Sequence, residues 1–314
     1  VAERVNSFSL LTINAMDHQS LLPKILVAGA GGHLGKRVVE LLYAQGYANL
    51  VAASRTPTKL QQFADLGIEL RKADFNDPNT LHTAFRGIDR LLLISTDELH
   101  TPGLRVLQHV NAIQAAKAAG VKHIVYTSMP NPATSVAIPF AADHVTTEQA
   151  LIESGLNYTI LRVSWYCENL LAYLPQIIRT GKWPTIAGSG KIAFVPREDV
   201  ARVTAAALTG KAENRVYDVT GTEALTIAEI AGMLRATFGR NVTVEHVKDD
   251  EIKDALLSIG IPEAFLPTVI MTDLNTKAGQ FDVVSDAIED LSGNPPQSLQ
   301  DFLKANASRF VSVP

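Results

Sequence analysis

One cysteine, Cys167, occurs in the 314 residues, so no internal disulfide can form and a reducing, cytoplasmic setting is the expectation. No apolar run reaches the length of a membrane span. The eight histidines show neither H-E-x-x-H nor H-x-x-E-H spacing, so no metal site is expected. A formal net charge of −4 lacks the positive excess of a general nucleic-acid binder. There is no internal repeat and no low-complexity linker. With 46% hydrophobic and 19% charged residues, the composition suits a buried core and excludes a disordered chain.

What is present starts at Lys24-Ile25-Leu26-Val27-Ala28, an apolar run that enters Gly29-Ala30-Gly31-Gly32-His33-Leu34-Gly35 and leaves through an amphipathic segment. That order predicts a strand, a phosphate-binding turn and a helix. A pyrophosphate needs donors, and a helix N-terminus offers free N–H groups and a positive dipole end. Gly29 suits the tight turn, Gly32 the close approach of backbone to phosphate, and Gly35 the packing of helix on strand. The spacing is G-x-x-G-x-x-G, the form of short-chain dehydrogenase/reductase relatives, because Leu34 breaks G-x-G-x-x-G.

An acid is missing where NAD would want one. About 20 positions past the glycines an Asp or Glu hydrogen-bonds the ribose hydroxyls of NAD. Arg55 stands there instead, at the end of Leu50-Val51-Ala52-Ala53-Ser54, and Lys59 follows. A guanidinium suits a 2′-phosphate through charge and bidentate geometry, so the expected cofactor is NADPH.

Along the chain, strand patterns at 68–74, 90–95, 121–128 and 158–162 alternate with helical patterns at 80–85, 104–119 and 142–154. This predicts an α/β, Rossmann-type doubly wound parallel sheet. Further on, 165–179 reads as helical with Pro175 as a kink or break, 181–189 as turn-rich, 195–208 as helix and 215–219 as strand. Thr226-Ile227-Ala228-Glu229 is a capping box opening a helix that ends near Gly239. Residues 242–247 alternate like a strand, and 249–259 and much of the remainder read as helix. The expected organisation is a cofactor domain of 24–165 and 195–221 with a smaller C-terminal α+β lobe of 166–194 and 222–314. Residues 1–23 read as a poorly specified, partly disordered leader without signal-peptide features, in which Met16 is an alternative start.

Several segments occur in the order found in one family: Ala28 to Gly35, Ser54-Arg55, Ala73-Asp74-Phe75-Asn76-Asp77, Leu91 to Ser95, Ala115 to Lys122 and Tyr126-Thr127-Ser128. Tyr158 to Arg162, Trp165-Tyr166-Cys167-Glu168-Asn169 and Gly188 to Ala193 follow. Over about residues 24–310 the chain resembles the NmrA-like atypical short-chain dehydrogenases, and within them the quinone and triphenylmethane reductases. The resemblance implies a Rossmann domain, a smaller C-terminal domain and a cleft between them for substrate. It also implies that Gly29, Ala30, Gly31, Gly32, His33, Leu34 and Gly35 hold the pyrophosphate, and Arg55 the 2′-phosphate. Asp74 and Phe75 would border the adenine, and Ser95 and Thr96 the nicotinamide. Ser164, Trp165, Tyr166, Glu168 and Asn169 would line the cofactor and substrate cleft, with Ser128 at the substrate. A relative carries glycine at position 164 and serine at position 167.

A second absence then bears on chemistry. Ordinary short-chain dehydrogenases use Tyr-x-x-x-Lys, in which the tyrosine passes a proton and the lysine lowers its pKa. Tyr126 is followed by proline at 130, and the comparable spacing further on reads His144-Val145-Thr146-Thr147-Glu148. Standard alcohol–ketone chemistry is therefore not expected. A quinone needs only positioning and a weak proton source. His144 is either that source or a residue packed at a helix start, the second being the simpler reading. Glu148 is expected to be the structural partner of a cation or backbone donor. Trp165 and Tyr166 either stack on a flat acceptor or pack in the core. Asn169 either bonds a carbonyl or caps a helix. Arg197-Glu198-Asp199 is read as a carboxylate-rich helix start rather than a catalytic cluster. Two functions stay open: an NADPH-dependent reductase of a small quinone-like acceptor, without nucleic-acid or membrane partners, and a non-catalytic NADP(H) sensor acting on a regulatory protein. An epimerase would need the missing tyrosine.

Overall fold

Residues 22–311 are described by the structure, a computed structural model; the expected leader, up to position 21, lies outside the described residues. Runs of small and branched apolar side chains set the sheet. Strand β1 is Ile25–Ala28, buried at every position, and β2 is Leu50–Ser54. Strands β3 (Glu69–Lys72), β4 (Arg90–Leu93), β5 (His123–Ser128), β6 (Asn157–Val163) and β9 (Arg215–Val219) complete seven strands in the order β3-β2-β1-β4-β5-β6-β9. The pairs β1–β2, β1–β4, β2–β3 and β4–β5 are parallel. The jump from β3 to β4 on the far side of β1 reverses the winding, as a doubly wound sheet requires. The expected fold class is the one observed.

Helices link the strands: α1 His33–Ala44, α2 Gln61–Ala64, α3 Pro78–Ala84, α4 Leu104–Ala118 and α5 Ala141–Glu153. The described residues divide into two compact units. One comprises 22–126, 149–159 and 204–215; the other comprises 127–148, 160–203 and 216–311. The first unit's core holds Leu26, Val27, Val38, Leu42, Phe63, Leu81 and Phe85. The second has its own core, in which Trp183, Leu234, Phe281, Phe302 and Phe310 are buried.

The later elements correct the sequence reading in three places. Residues 165–179 are not one helix. Tyr166 makes a bridge to Val195, a 3₁₀ segment spans Cys167–Ala172, and α6 begins at Leu174 and runs to Thr180. Pro175 lies in the first turn of α6, where its missing N–H leaves no bond unmade, so it starts a helix instead of kinking one. The turn-rich stretch after Gly181 contains β7, Lys182–Thr185, paired in parallel with β11, Thr243–His246, while the short strands β8 (Lys191–Ile192) and β10 (Leu225–Thr226) pair antiparallel. Glycines at 181 and 188 hide that strand in the sequence; burial of Trp183 and the pairing with β11 supply what local propensity does not. Helix α7, Arg197–Thr209, starts at Arg197 and not at Val195, because Val195 is held in the bridge. The capping box at Thr226 and Glu229 forms as expected, opening α8, Ile227–Phe238, which closes on Gly239. Helices α9 (Ile252–Ser258), α10 (Leu266–Lys277), α11 (Ala287–Ser292), α12 (Leu299–Ala305) and α13 (Ala307–Val311) confirm the helical C-terminal stretch.

Candidate functional site

In the first unit, the parallel register brings the expected cofactor residues to one edge of the sheet. Ala28 pairs with Ala53, Val27 with Leu92 and Ser54 with Lys72. Gly29, Arg55, Asp74 and Ser95 therefore all follow the carboxyl ends of their strands, the edge where open α/β sheets take ligands.

The glycine turn is built as a cradle. Gly29 has φ +79°, a left-handed value that any side chain would strain. Gly32 N–H donates to the Gly29 carbonyl at 2.9 Å, and Gly32 precedes α1 without a side-chain cap. The first N–H groups of α1 are thus available to an anion. A Cβ on Gly35 would lie 2.3 Å from the Gly29 oxygen and 2.7 Å from its carbonyl carbon. Only glycine lets this helix start so close to the turn. At Gly31 and Gly32 a Cβ would meet neighbours at ordinary distances, 3.8 Å from Leu60 and 3.4 Å from the Gly29 oxygen. His33 and Leu34 open α1, and Leu34 is buried.

Arg55 and Lys59 are exposed beyond β2, Lys59 in the 3₁₀ turn Pro57–Leu60. No acid stands beside Arg55 in the sequence. Asp74 is half-buried; its carboxylate accepts from Asn76 N–H at 3.0 Å and its own N–H donates to Thr80 Oγ1 at 3.0 Å. The carbonyl of Phe75 accepts from Asn111 at 3.0 Å. Ser95 and Thr96 lie half-buried just past β4. The Thr96 backbone is held at both of its polar atoms: its N–H donates to His109 Nε2 at 3.0 Å, and its carbonyl accepts from Arg105 Nε at 2.8 Å. Sequence reasoning missed Arg105, Gln108 and His109. The available signal was their i, i+3, i+4 spacing on one face of a helix that otherwise reads as apolar.

The second unit contains Ser128, His144, Glu148 and residues 164–169. Ser128 Oγ donates to Glu148 Oε1 at 2.6 Å, and Glu148 takes Arg162 through two bonds of 3.0 and 2.6 Å. Glu148 is thus the partner of a cation, as expected. Its carboxylate engages the hydroxyl hydrogen of Ser128, so Ser128 can accept a hydrogen bond but is not a ready proton donor. His144 is buried, with its ring edge-on to Phe140 at 6.1 Å between centroids.

Ser164 is buried and its Oγ has no hydrogen-bond partner. Trp165 packs on Phe281, with ring centroids 5.6 Å apart, and Arg197 sits over the Tyr166 ring at 5.0 Å from its centroid. Burial pushes the Tyr166 phenol up to about 12, so it stays protonated. The Cys167 thiol is buried and its pKa is raised by that burial, reinforced by the charges of Glu168 and Asp199. It is therefore no thiolate nucleophile. Glu168 accepts from the N–H of Arg197 at 3.2 and 3.1 Å, capping the start of α7. Asn169 lies half-buried in the 3₁₀ segment, with its N–H on the Tyr166 carbonyl at 3.0 Å. Asp199 pairs with Arg202 at 2.5 Å and accepts from Gln297 N–H at 2.7 Å, which makes 197–199 a helix start and not a catalytic cluster.

Among the described residues no group of acids, histidines or cysteines is arranged to hold a metal, and no helix is long and apolar enough to cross a membrane. Quinone oxidoreductase 2 of Escherichia coli K12 is 38% identical over 280 residues, covering 88% of this chain and 96% of that protein. The structure of E. coli NADPH-dependent quinone oxidoreductase QOR2 complexed with NADPH superposes with a TM-score of 0.82 at 37% identity, covering 90% of this chain and 99% of that one. The Citrobacter sp. triphenylmethane reductase complexed with NADP(H) also gives 0.82, at 32% identity and with 90% and 99% covered. An NAD(P)H azoreductase of Xenophilus azovorans is 29% identical over 289 residues, covering 91% of this chain and 99% of that protein. The NmrA-like family model matches residues 23–303, and the chain belongs to the NmrA-like family.

Proposed function

We propose that this chain is an NADPH-dependent oxidoreductase that delivers hydride directly to a quinone or a similarly flat, electron-poor aromatic. The observation that carries the reading is the Gly29–Gly35 turn. There a Cβ at 35 is impossible, and the uncapped start of α1 leaves donors for a pyrophosphate. Arg55, without an acid beside it, favours the 2′-phosphate of NADPH over the free ribose of NADH. The residues present fit the cofactor in a further respect: Ser164 Oγ, in the segment expected to line the cofactor, is a buried polar atom without a partner in the chain. The relatives are named as reductases of quinones, azo compounds and triphenylmethane dyes, all conjugated, electron-poor acceptors. They favour catalysis over the sensor role that a lost Tyr-x-x-x-Lys pair would also allow. The partner is then a small molecule, not nucleic acid, and the expected compartment is the cytoplasm.

Bound NADPH supplies the hydride. The chain's task is to bind, orient and keep water out. In this reading Gly29 to Gly35 hold the pyrophosphate, Arg55 and Lys59 the 2′-phosphate, Asp74 and Phe75 the adenine, and Ser95 and Thr96 the nicotinamide. Ser164 to Asn169 and Ser128 serve the cofactor and acceptor. The Ser128 hydroxyl orients as an acceptor, because its hydrogen is engaged by Glu148. The proton for the reduced acceptor then comes from His144 or from water. Turnover unchanged in His144→Ala assigns it to water.

The test is steady-state oxidation of NADPH and NADH with a panel of quinones, azo dyes and triphenylmethane dyes. Turnover of at least one acceptor, with a lower KM for NADPH than for NADH, supports the reading. Tight NADPH binding without turnover of any acceptor favours the sensor.

A further inference from the structure

We propose that His109, together with Arg105, is a positioning residue for NADPH, fixing the Ser95–Thr96 segment by holding the backbone N–H and carbonyl of Thr96. The inference rests on the NADPH reading and extends it to residues that touch neither cofactor nor acceptor. Past Leu93 the chain leaves the sheet, and no strand pairing holds residues 94–103. Helix α4 takes over that task from below. His109 Nε2 receives the Thr96 N–H and also lies 3.4 Å from Thr96 Oγ1, while Arg105 Nε donates to the Thr96 carbonyl. Both side chains are buried, His109 completely.

A ring nitrogen that accepts an N–H must present its lone pair, so the imidazole proton sits on Nδ1. Burial, reinforced by the Arg105 charge, lowers the His109 pKa to about 3, so the acceptor survives throughout the neutral range. The same helix reaches the other cofactor segment. Gln108 Nε2 donates to Asn76 Oδ1 and Asn111 Nδ2 to the Phe75 carbonyl, each at 3.0 Å. One helix therefore sets the position of the nicotinamide segment relative to the adenine segment. An error of an ångström there is felt in the rate.

His109→Leu and His109→Gln test this together. Glutamine can return an acceptor oxygen to the Thr96 N–H; leucine cannot. The expected result is a fall of about tenfold or more in kcat/KM for NADPH in the leucine variant, with the KM for the quinone unchanged and partial rescue by glutamine. Equal losses in both variants, or no loss in leucine, overturn the proposal. Should the leucine variant not fold, nitrogen-15 NMR of the wild-type ring decides. A neutral ring protonated on Nδ1 from pH 5 to 8, and a shift of the His109 and Thr96 signals when NADPH is added, are expected. A ring that titrates near 6.5, or signals that stay put while other residues report NADPH binding, overturns the proposal and leaves the NADPH reading intact. If no residue responds to NADPH and none is oxidised, the NADPH reading fails, and the positioning role fails with it.

Discussion

At the scale of single residues, the glycines separate by what surrounds them, not by their place in a motif. Gly35→Ala puts a Cβ 2.3 Å from a backbone oxygen that cannot move without opening the turn. The expected loss is about 1–3 kcal/mol of stability, read as a lower urea midpoint, together with loss of NADPH binding. Gly31→Ala meets Leu60 and Ser54 at 3.8 and 3.9 Å, and its urea midpoint is expected to match wild type. With Arg55 at the 2′-phosphate as proposed, Arg55→Asp removes a charge-assisted contact worth about 1.5–3 kcal/mol and adds repulsion. The KM for NADPH should rise by roughly 10- to 100-fold while that for NADH changes little. Equal effects on the two cofactors would remove Arg55 from the 2′-phosphate site. Glu148 shows how a substitution within a known motif can change its meaning. Where relatives of the wider superfamily place a lysine that tunes a tyrosine, this chain has a carboxylate paired with Arg162. Glu148→Gln should lower stability by about 1–2 kcal/mol, because the half-buried Arg162 guanidinium keeps an amide acceptor but loses the carboxylate charge that faces it.

At the scale of elements, legibility follows locality. The first strand, the glycine turn and α1 were readable because period, turn chemistry and helix start agree within about twenty residues. The capping box of α8 was readable for the same reason. Strand β7 was not, since its partner β11 lies far along the chain and its ends are glycine-rich. Nor was the role of α4, whose polar side chains act on segments that the sequence places well before them. The buried Asp273 on α10 is a third case. It accepts from Thr185 Oγ1 at 2.6 Å and from Ile186 N–H at 3.0 Å, tying α10 to the end of β7. Burial outweighs those two bonds and raises its pKa to about 6. A carboxyl raised in the folded state binds its proton more tightly there than in the unfolded chain. Its effect on stability is therefore absent below the unfolded value of 3.8 and becomes an increasing penalty as pH rises to about 6. Asp273→Asn should remove that slope, which urea midpoints across this range will show. An unchanged slope would mean that the carboxyl titrates normally.

At the scale of the whole molecule, two buried histidines act in the opposite direction. His109 and His123 are fully buried, and desolvation lowers their pKa to about 3 and about 4. The unfolded chain takes up these protons below the ordinary value of 6.5, while the folded state refuses them. Stability supplied by the neutral rings is thus present above 6.5 and is lost as pH falls. Between pH 7 and 5 the pair removes about 4 kcal/mol, against about 1 kcal/mol recovered as Asp273 protonates. A net loss of about 2–3 kcal/mol is expected over that interval in urea titrations, and a flat or rising profile would contradict it.

The fold and the hydride donor were visible in the sequence because a phosphate cradle is a local device. The acceptor was not, since it is selected by side chains that distant segments bring together, and it rests on the relatives. Direct hydride transfer is therefore tested by a single-turnover reaction with NADPH deuterated at either face of nicotinamide C4, mixed with protein free of flavin and with a quinone. Oxidation with a primary isotope effect for one of the two labels only is expected, as direct and stereospecific hydride transfer requires. NADPH that binds but is not oxidised by any quinone, azo dye or triphenylmethane dye would contradict it.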